Sequence, residues 1–177
     1  MVRKTQPGGA ECGVTILETM VAVAILLVGI VGVMSLFTVA AGQNKSQGEI
    51  ATRTTEYCQD KMEQLLALSF ADGATNTTVY PPQTSGGTGL GGNMAVNTTV
   101  GGTDPASRVS GYLDYLDANG NLLTSSAGAF YVRLWSISTD STGTLKTITV
   151  RTEAASAAGA GGMAPATTLV CIKSSFL

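Results

Sequence analysis

One ionisable side chain, Glu18, lies inside an otherwise apolar stretch of this 177-residue chain. The stretch covers residues 14–41, and after Glu18 no charged residue occurs before Lys45. A helix rises about 1.5 Å per residue, so this stretch is long enough to cross a hydrocarbon core of about 30 Å. A carboxylate in a membrane-spanning helix is costly unless it finds a partner or lies near an interface, so Glu18 is our first candidate for a functional residue.

Other residues that could do chemistry are few. The chain has no histidine, which removes the most frequent general base and the most frequent transition-metal ligand. Serine and threonine are plentiful, but no base is visible for them to use. We therefore predict that the protein is not an enzyme, and we expect no cofactor.

The candidate metal ligands are Asp117, Asn119 and Asn121, whose side-chain oxygens alternate as in a calcium loop. In the EF-hand pattern a glycine follows the third ligand and a glutamate closes the loop. Here Gly120 comes before the third ligand, and no glutamate follows at the required distance. An Asn-Gly pair between apolar runs instead predicts a tight β-hairpin, so calcium binding is the weaker alternative.

The cysteines leave two alternatives open. Cys12 falls in the polar segment of residues 1–13, and Cys58 and Cys171 lie in the rest of the chain. A pair of cysteines in a domain outside the cytoplasm permits one disulfide bond. Two buried free thiols, which pack as small apolar groups, are the other possibility.

The helix is predicted to continue beyond the apolar stretch, to about residue 68. Residues 42–70 contain no proline, and their apolar residues recur at spacings of three and four, as on one face of a helix. These positions are Ile50, Tyr57 or Cys58, Met62, Leu65 and Leu66. Most charged residues of the segment, including Asp60 and Lys61, are assigned to the opposite face. One helix would thus begin in a membrane and end as the backbone of a soluble domain.

The rest of the chain is predicted to form a loop region and then a sheet. Residues 72–111 are rich in glycine, serine and threonine, with one strand predicted near 94–100. Residues 112–177 contain apolar or alternating runs that indicate strands at 111–116, 122–123, 130–137, 145–152 and 167–173. The short connections favour an antiparallel meander, one face of which would cover the apolar face of the helix. The predicted fold class is therefore α+β.

The junction GVTILE at residues 13–18 resembles a type IV prepilin processing site. In that motif a short basic leader ends in glycine, a long apolar helix follows, and glutamate is the fifth residue after the cut. Here the basic residues of the leader are Arg3 and Lys4. A secretory signal peptide and a plain membrane anchor are the alternatives. The apolar stretch is about twice as long as a signal peptide requires, and a plain anchor leaves Glu18 unexplained.

The resemblance implies the type IV pilin fold, with leader 1–13, transmembrane or filament-core helix 14–41 and periplasmic globular domain 42–177. Residues 60–67 and 131–135 look most like PilV-type minor pilins. By this resemblance, prepilin peptidase would cut after Gly13, Val14 would become a methylated N-terminus, and Glu18 would pair with the terminal amine of a neighbouring subunit. The chain departs from the usual pattern by starting with Val14 instead of Phe or Met, and by lacking a proline in the apolar helix.

The expected function is that of a minor pilin, a structural subunit that is assembled into a type IV pilus or primes it. Its expected partners are other pilin subunits, contacted through the N-terminal helix, prepilin peptidase and the inner-membrane assembly platform. The expected location is the bacterial inner membrane, single-pass with a periplasmic C-terminal domain, and then the filament. A net charge of −2 without a basic cluster argues against nucleic-acid binding. The alternatives are a minor pseudopilin of a type II secretion system and a membrane-anchored binding or adhesion module that uses loop 72–111.

Overall fold

A computed structural model describes residues 15–155 and 164–175 and shows an α+β fold, as predicted. One long helix precedes a six-stranded antiparallel sheet in which the strand order is β3-β2-β4-β5-β6, and β1 also pairs with β4. The elements are α1 (Ile16–Ala67), β1 (Thr99–Gly101), β2 (Leu113–Leu116), β3 (Leu122–Leu123), β4 (Tyr131–Thr139), β5 (Leu145–Ala154) and β6 (Ala166–Ser174).

Helix α1 begins where a capping residue precedes the apolar run. Thr15 has the hydroxyl side chain that N-caps favour, and its Oγ1 accepts a hydrogen bond of 3.3 Å from the backbone N–H of Glu18. No proline occurs between Thr15 and the helix end at Ala67, so the backbone hydrogen bonds can continue over 52 residues. The helix predicted from the apolar pattern is confirmed.

The chain divides into two compact units, residues 1–45 and residues 46–177. In the second unit, the C-terminal part of α1 packs on one face of the sheet. Its buried side chains are Ile50, Thr54, Cys58, Lys61, Met62 and Leu65, at spacings of three and four with one adjacent pair. The predicted apolar face is therefore confirmed, but the assignment of Lys61 to the exposed face was wrong.

The core of the second unit lies between α1 and the central strands of the sheet. Trp135 and Ile137 of β4 and Ile148 and Val150 of β5 are fully buried and pack with the side chains of α1. The register places Trp135 opposite Val150 and Ile137 opposite Ile148, so the four side chains share one face. This face is the one that positions the buried groups described below.

The region between α1 and β2 is held to the sheet by polar contacts. The Nζ of Lys146 on β5 donates hydrogen bonds to the backbone carbonyls of Phe70, Leu90 and Gly92, at 2.6, 2.8 and 2.7 Å. The strand predicted at 94–100 is shorter and later than expected and forms only β1. The reason is local: the backbone of Asn97 is in the left-handed region at φ 54°, which interrupts an extended strand.

Candidate functional site

The first candidate residue, Glu18, lies in the first turn of α1 and is exposed. A carboxylate at this end of a helix is favoured by the helix dipole, by about 0.3–1 kcal/mol. Thr15 and Glu18 also have the spacing of a capping box. Within residues 15–155 and 164–175, no ion pair involves Glu18. Glu18 is therefore placed at the end of the apolar helix, with a carboxylate open to a partner from outside the described chain.

The apolar stretch that follows Glu18 exposes large apolar side chains around its whole circumference. From Ile16 to Val39, sixteen such side chains are 43–81% exposed. An 18-residue window of this helix has a mean hydropathy of 2.8, and none of the window is buried within the protein. A helix that is apolar all round is stable only when lipid or other helices cover it. By length and composition, this helix could cross a membrane.

The structure does not give the position of the predicted processing residues. Gly13 and Val14 lie outside the described residues, as does the rest of the predicted leader. The described chain begins at Thr15, next to the predicted cut. Cleavage after Gly13 therefore stays a prediction from the sequence.

A buried cluster of charged residues joins α1 to the sheet in the second unit. The Nζ of Lys61 lies 2.7 Å from Oδ2 of Asp114 on β2, and it donates a hydrogen bond of 2.7 Å to the carbonyl of Thr77. The same Nζ lies 4.4 Å from the ring centroid of Trp135, within range of a cation–π interaction. Burial lowers the pKa of Lys61 to about 8, and the Asp114 carboxylate opposes that shift.

Arg133 of β4 completes this cluster. Its Nε and Nη2 bind the two carboxylate oxygens of Asp114 at 2.7 and 2.9 Å, which is a bidentate pair. Its Nη1 binds Oδ2 of Asp60 on α1 at 2.8 Å. Two cations thus face two carboxylates, and the cluster is neutral overall. Because the side chains come from α1, β2 and β4, the cluster fixes the position of the helix on the sheet.

Only one member of the cluster reaches solvent to a large extent. The side chain of Asp60 is 56% exposed, against 4% or less for Lys61, Asp114 and Arg133. Asp60 borders an open groove of about 800 Å³ between α1, residues 77–80 and the β2–β3 turn. The Nε2 of Gln64 donates to the same Asp60 oxygen as Arg133, so this carboxylate serves mainly to complete the cluster.

The sequence pattern does not predict this cluster, although it contains a signal for Lys61. Buried positions of α1 recur at 50, 54, 58, 61 and 65, and position 61 fits that spacing. Lysine at such a position was assigned to the surface because lysine is almost never fully buried without a partner. The partner, Asp114, is on a distant strand and could not be paired with Lys61 from spacing alone.

Cys58 on α1 and Cys171 on β6 both lie at the packing surface between the helix and the sheet, and both are free thiols in the structure. The Sγ of Cys58 lies 3.2 Å from the carbonyl of Val150 and 3.7 Å from that of Thr167. Cys171 is four residues further along β6 than Thr167, which is about 13 Å at 3.3 Å per residue. A disulfide bond needs Cα atoms within about 7 Å. Of the two alternatives, the structure therefore has the free thiols, because the register of α1 on β6 separates them.

The alternative metal residues form the tight turn between β2 and β3. The Oδ1 of Asp117 accepts hydrogen bonds of 2.8 Å from the backbone N–H groups of Asn119 and Asn121, and Oδ2 accepts one of 2.8 Å from Nδ2 of Asn121. These bonds hold the pKa of the Asp117 carboxyl below its usual value. Gly120 has φ +86°, as the turn requires. In the described chain no group of three or more His, Cys, Asp or Glu residues could hold a metal ion.

Comparisons with known proteins give no match to this chain, whether to a sequence family, to a curated protein or to a solved structure. Assignment therefore rests on the architecture itself. The chain has one long N-terminal helix, apolar and exposed in its first part, and packed in its last part on an antiparallel sheet. This architecture is consistent with a pilin-like fold.

Proposed function

We propose that this protein is a minor type IV pilin that is assembled into, or primes, a type IV pilus. The observation that carries the proposal is the apolar helix that places Glu18 in its first turn, with its carboxylate exposed and no ion-pair partner among the described residues. Lipid covers such a helix in the membrane, and other subunit helices cover it in a filament. The protein acts as a structural subunit and not as an enzyme.

The role of Glu18 follows from the cost of unpaired charges in lipid. Prepilin peptidase cuts after Gly13, and Val14 becomes an N-terminus that carries a positive amine and is methylated. A carboxylate and an amine are each costly in an apolar surrounding, and their costs offset each other when the groups meet. Glu18 of one subunit therefore pairs with the amine of Val14 on a neighbour when the two helices are in register.

Most of the buried charge cluster lies in the segments on which the PilV-like resemblance rests. The segments that look most like PilV-type minor pilins, residues 60–67 and 131–135, contain Lys61 and Arg133, which both bind Asp114. The cluster fixes the C-terminal part of α1 on the sheet, so that a force on the helix is carried to the globular domain. Lys61 and Arg133 thus have a structural role in a subunit that is pulled out of a membrane.

The location and partners follow from the same proposal. The chain spans the bacterial inner membrane once, with its sheet domain in the periplasm, and then moves into the filament. Its partners are prepilin peptidase, the inner-membrane assembly platform and the helices of other pilin subunits. A minor pseudopilin of a type II secretion system would use the same helix and the same carboxylate.

Assembly of a Glu18→Ala variant tests this proposal. Glu49→Ala is the matched control, because Glu49 is an exposed carboxylate on the same helix but outside the apolar stretch. We expect wild type and Glu49→Ala in filaments sheared from cells, and Glu18→Ala retained in the membrane. If Glu18→Ala enters filaments as well as the control does, the carboxylate has no part in assembly. If none of the three enters a pilus, while wild type and Glu49→Ala but not Glu18→Ala support protein secretion, the pseudopilin alternative replaces the pilus.

A further inference from the structure

The open groove beside Asp60 belongs wholly to the second unit, because all the residues that line it lie between 56 and 133. Its walls are the α1 segment 56–64, the segment 77–80 and the β2–β3 turn with strand β3. Its volume of about 800 Å³ falls within the range of about 300–1,000 Å³ that is typical of small-molecule sites. This concave surface is therefore a candidate site for a small ligand.

Two carboxylates line the groove one helical turn apart. Glu56 and Asp60 are four residues apart on α1, which places both side chains on the same face of the helix. Like charges at this spacing repel each other and slightly destabilise a helix. Arg133 offsets the charge of Asp60 only in part, because it also binds Asp114 through two hydrogen bonds. No ion pair of residues 15–155 and 164–175 involves Glu56.

The groove and the charge cluster beside it have a net negative charge. Arg133 is the only cation among the described residues that line the groove. The cluster has two cations and two carboxylates, and Glu56 adds a third carboxylate, which gives a net charge of −1. Both hydrogen bonds that the Asp60 side chain accepts in the described chain end at Oδ2, so Oδ1 is left to accept one from a ligand. A positively charged ligand that donates hydrogen bonds therefore complements the groove.

The rest of the lining is partly aromatic and partly aliphatic. Tyr57 and Tyr80 contribute rings, and Tyr80 is 81% exposed. The face of a tyrosine ring attracts a cation. Val79, Leu122 and Leu123 are half-buried and line the groove, so they can cover a hydrocarbon chain. A bare metal ion would not use these aliphatic residues, whereas an ammonium group on a hydrocarbon chain would contact both kinds of side chain.

We propose that this groove binds a small aliphatic primary amine in its ammonium form. The ammonium group donates hydrogen bonds to the carboxylates of Glu56 and Asp60 beside the tyrosine rings, and the hydrocarbon chain packs on Leu122 and Leu123. Such an amine has a pKa near that of lysine, about 10.4, and is therefore charged at about pH 7. The volume favours a free amine over a lysine side chain of a partner protein, because a groove of this size encloses most of a small molecule. The proposal does not depend on assembly into a pilus.

Nuclear magnetic resonance titration of the full chain in a non-ionic detergent tests this proposal. The probe is n-butylamine, and its control is n-butanol, which has the same hydrocarbon chain with a hydroxyl group in place of the ammonium. We expect the amine to cause saturable shifts of backbone amides in segments 56–60, 77–80 and 120–124. The dissociation constant of the alcohol should be about tenfold higher or more, because the ion pair and the cation–π contact are both lost. Equal dissociation constants would overturn the proposal, since charge would then not select the ligand.

Substitution of Glu56 provides a second measurement on the same groove. Glu56→Gln keeps the size of the side chain but removes its charge, and it should weaken amine binding about fivefold. Glu63→Gln is the matched control, because Glu63 is an exposed carboxylate of α1 that does not line the groove, and it should leave the dissociation constant unchanged. Tyr80→Leu should weaken binding about threefold through loss of the ring. Amine binding that is equal in Glu56→Gln and Glu63→Gln would overturn the site.

A lysine derivative blocked at both backbone ends distinguishes the two sources of the ammonium group. Its side chain has the same four-carbon chain as n-butylamine, so a difference in affinity comes from its backbone part. We expect it to bind no more tightly than n-butylamine. A dissociation constant about tenfold lower would assign the groove to a lysine of a partner protein and overturn the free amine as its ligand. A titration without amide shifts in the three segments would overturn an amine site of either kind.

Discussion

Lys61 on α1 and Asp114 on β2 form an ion pair of 2.7 Å in which the two side chains are 0% and 1% exposed. The two residues are far apart in the sequence, and no other charged pair of α1 in the described chain is as deeply buried. Arg133 holds the same carboxylate with two further hydrogen bonds. Asp114 therefore pairs with two buried cations and positions the helix on the sheet.

Removing the shared carboxylate should be strongly destabilising. Asp114→Ala leaves Lys61 and Arg133 buried with only Asp60 to compensate them, and breaking a buried pair in this way costs about 3–5 kcal/mol. Denaturant unfolding of the full chain in detergent measures this loss. The control is Glu49→Ala, which removes an exposed pair with Arg53 at 3.5 Å and should cost about 0.5 kcal/mol or less. Equal, small losses in both variants would contradict the structural role of the cluster.

The stability of the protein should depend on the titration of Lys61. Burial lowers its pKa from 10.5 to about 8 in the folded chain. At pH 7 the ammonium is therefore still the main form. Between about pH 8 and 10.5 the unfolded chain binds more protons than the folded one, so the free energy of unfolding gains a contribution that rises with pH to about 3 kcal/mol.

Comparison with a Lys61→Met variant isolates this contribution. The free energies of unfolding of both proteins are measured at about pH 7.5 and about pH 10, so that other titrating groups largely cancel in the difference. We expect wild type to gain stability relative to the variant as the pH rises. A difference that is constant across this range would show that the pKa of Lys61 is not lowered by burial.

Replacing Gly120 or Gly128 by alanine has two possible costs to stability: strain at a positive φ, and contact of the new Cβ with neighbouring atoms. Gly120 and Gly128 both have positive φ, +86° and +78°. A Cβ at Gly120 would lie 2.7 Å from the hydroxyl oxygen of Tyr57, whereas one at Gly128 would meet nothing within 4 Å. Thermal or denaturant unfolding should show a loss of about 1 kcal/mol for Gly128→Ala and about 1–3 kcal/mol more for Gly120→Ala. Equal losses would mean that the β2–β3 turn does not contact Tyr57 closely.

The thiols should differ in reactivity. In a Cys12→Ser chain, only Cys58 and Cys171 remain, and burial raises the pKa of the Cys58 thiol. A water-soluble thiol reagent should modify Cys171 in the folded protein and Cys58 only after unfolding, because the reactive form is an exposed thiolate. Intact mass after reaction counts the modified residues. A chain that takes up reagent only after reduction would show that the two cysteines are bonded.

The regular elements could be predicted because their periodicity is local. The stripe at Ile50, Cys58, Met62 and Leu65 has a helical period. Strand β5 alternates apolar and polar residues, and β4 and β6 contain runs rich in apolar and β-branched residues. The β2–β3 turn was predicted from Asn119-Gly120, whose glycine takes the positive φ that the turn needs. In each of these cases, neighbouring residues in the sequence carry the whole signal.

The buried charge cluster could not be predicted because its energetics depend on contacts distant in sequence. Lys61 alone is costly to bury, and it is accommodated only because Asp114 and the carbonyl of Thr77 meet it in the folded chain. The disulfide alternative is decided by another long-range quantity, the register of α1 along β6, which sets Cys58 beside Thr167. A single sequence does not give either relationship.

The most direct test of the proposed function is the N-terminus of the protein in its native envelope. Intact mass and N-terminal sequencing of the wild-type chain should show a mature protein that begins at Val14, with added methyl mass on its amine. A chain that begins after Ala41 would be an ordinary secreted domain, and the filament role would be removed. A chain that is uncut would leave only a membrane anchor and would contradict the proposal.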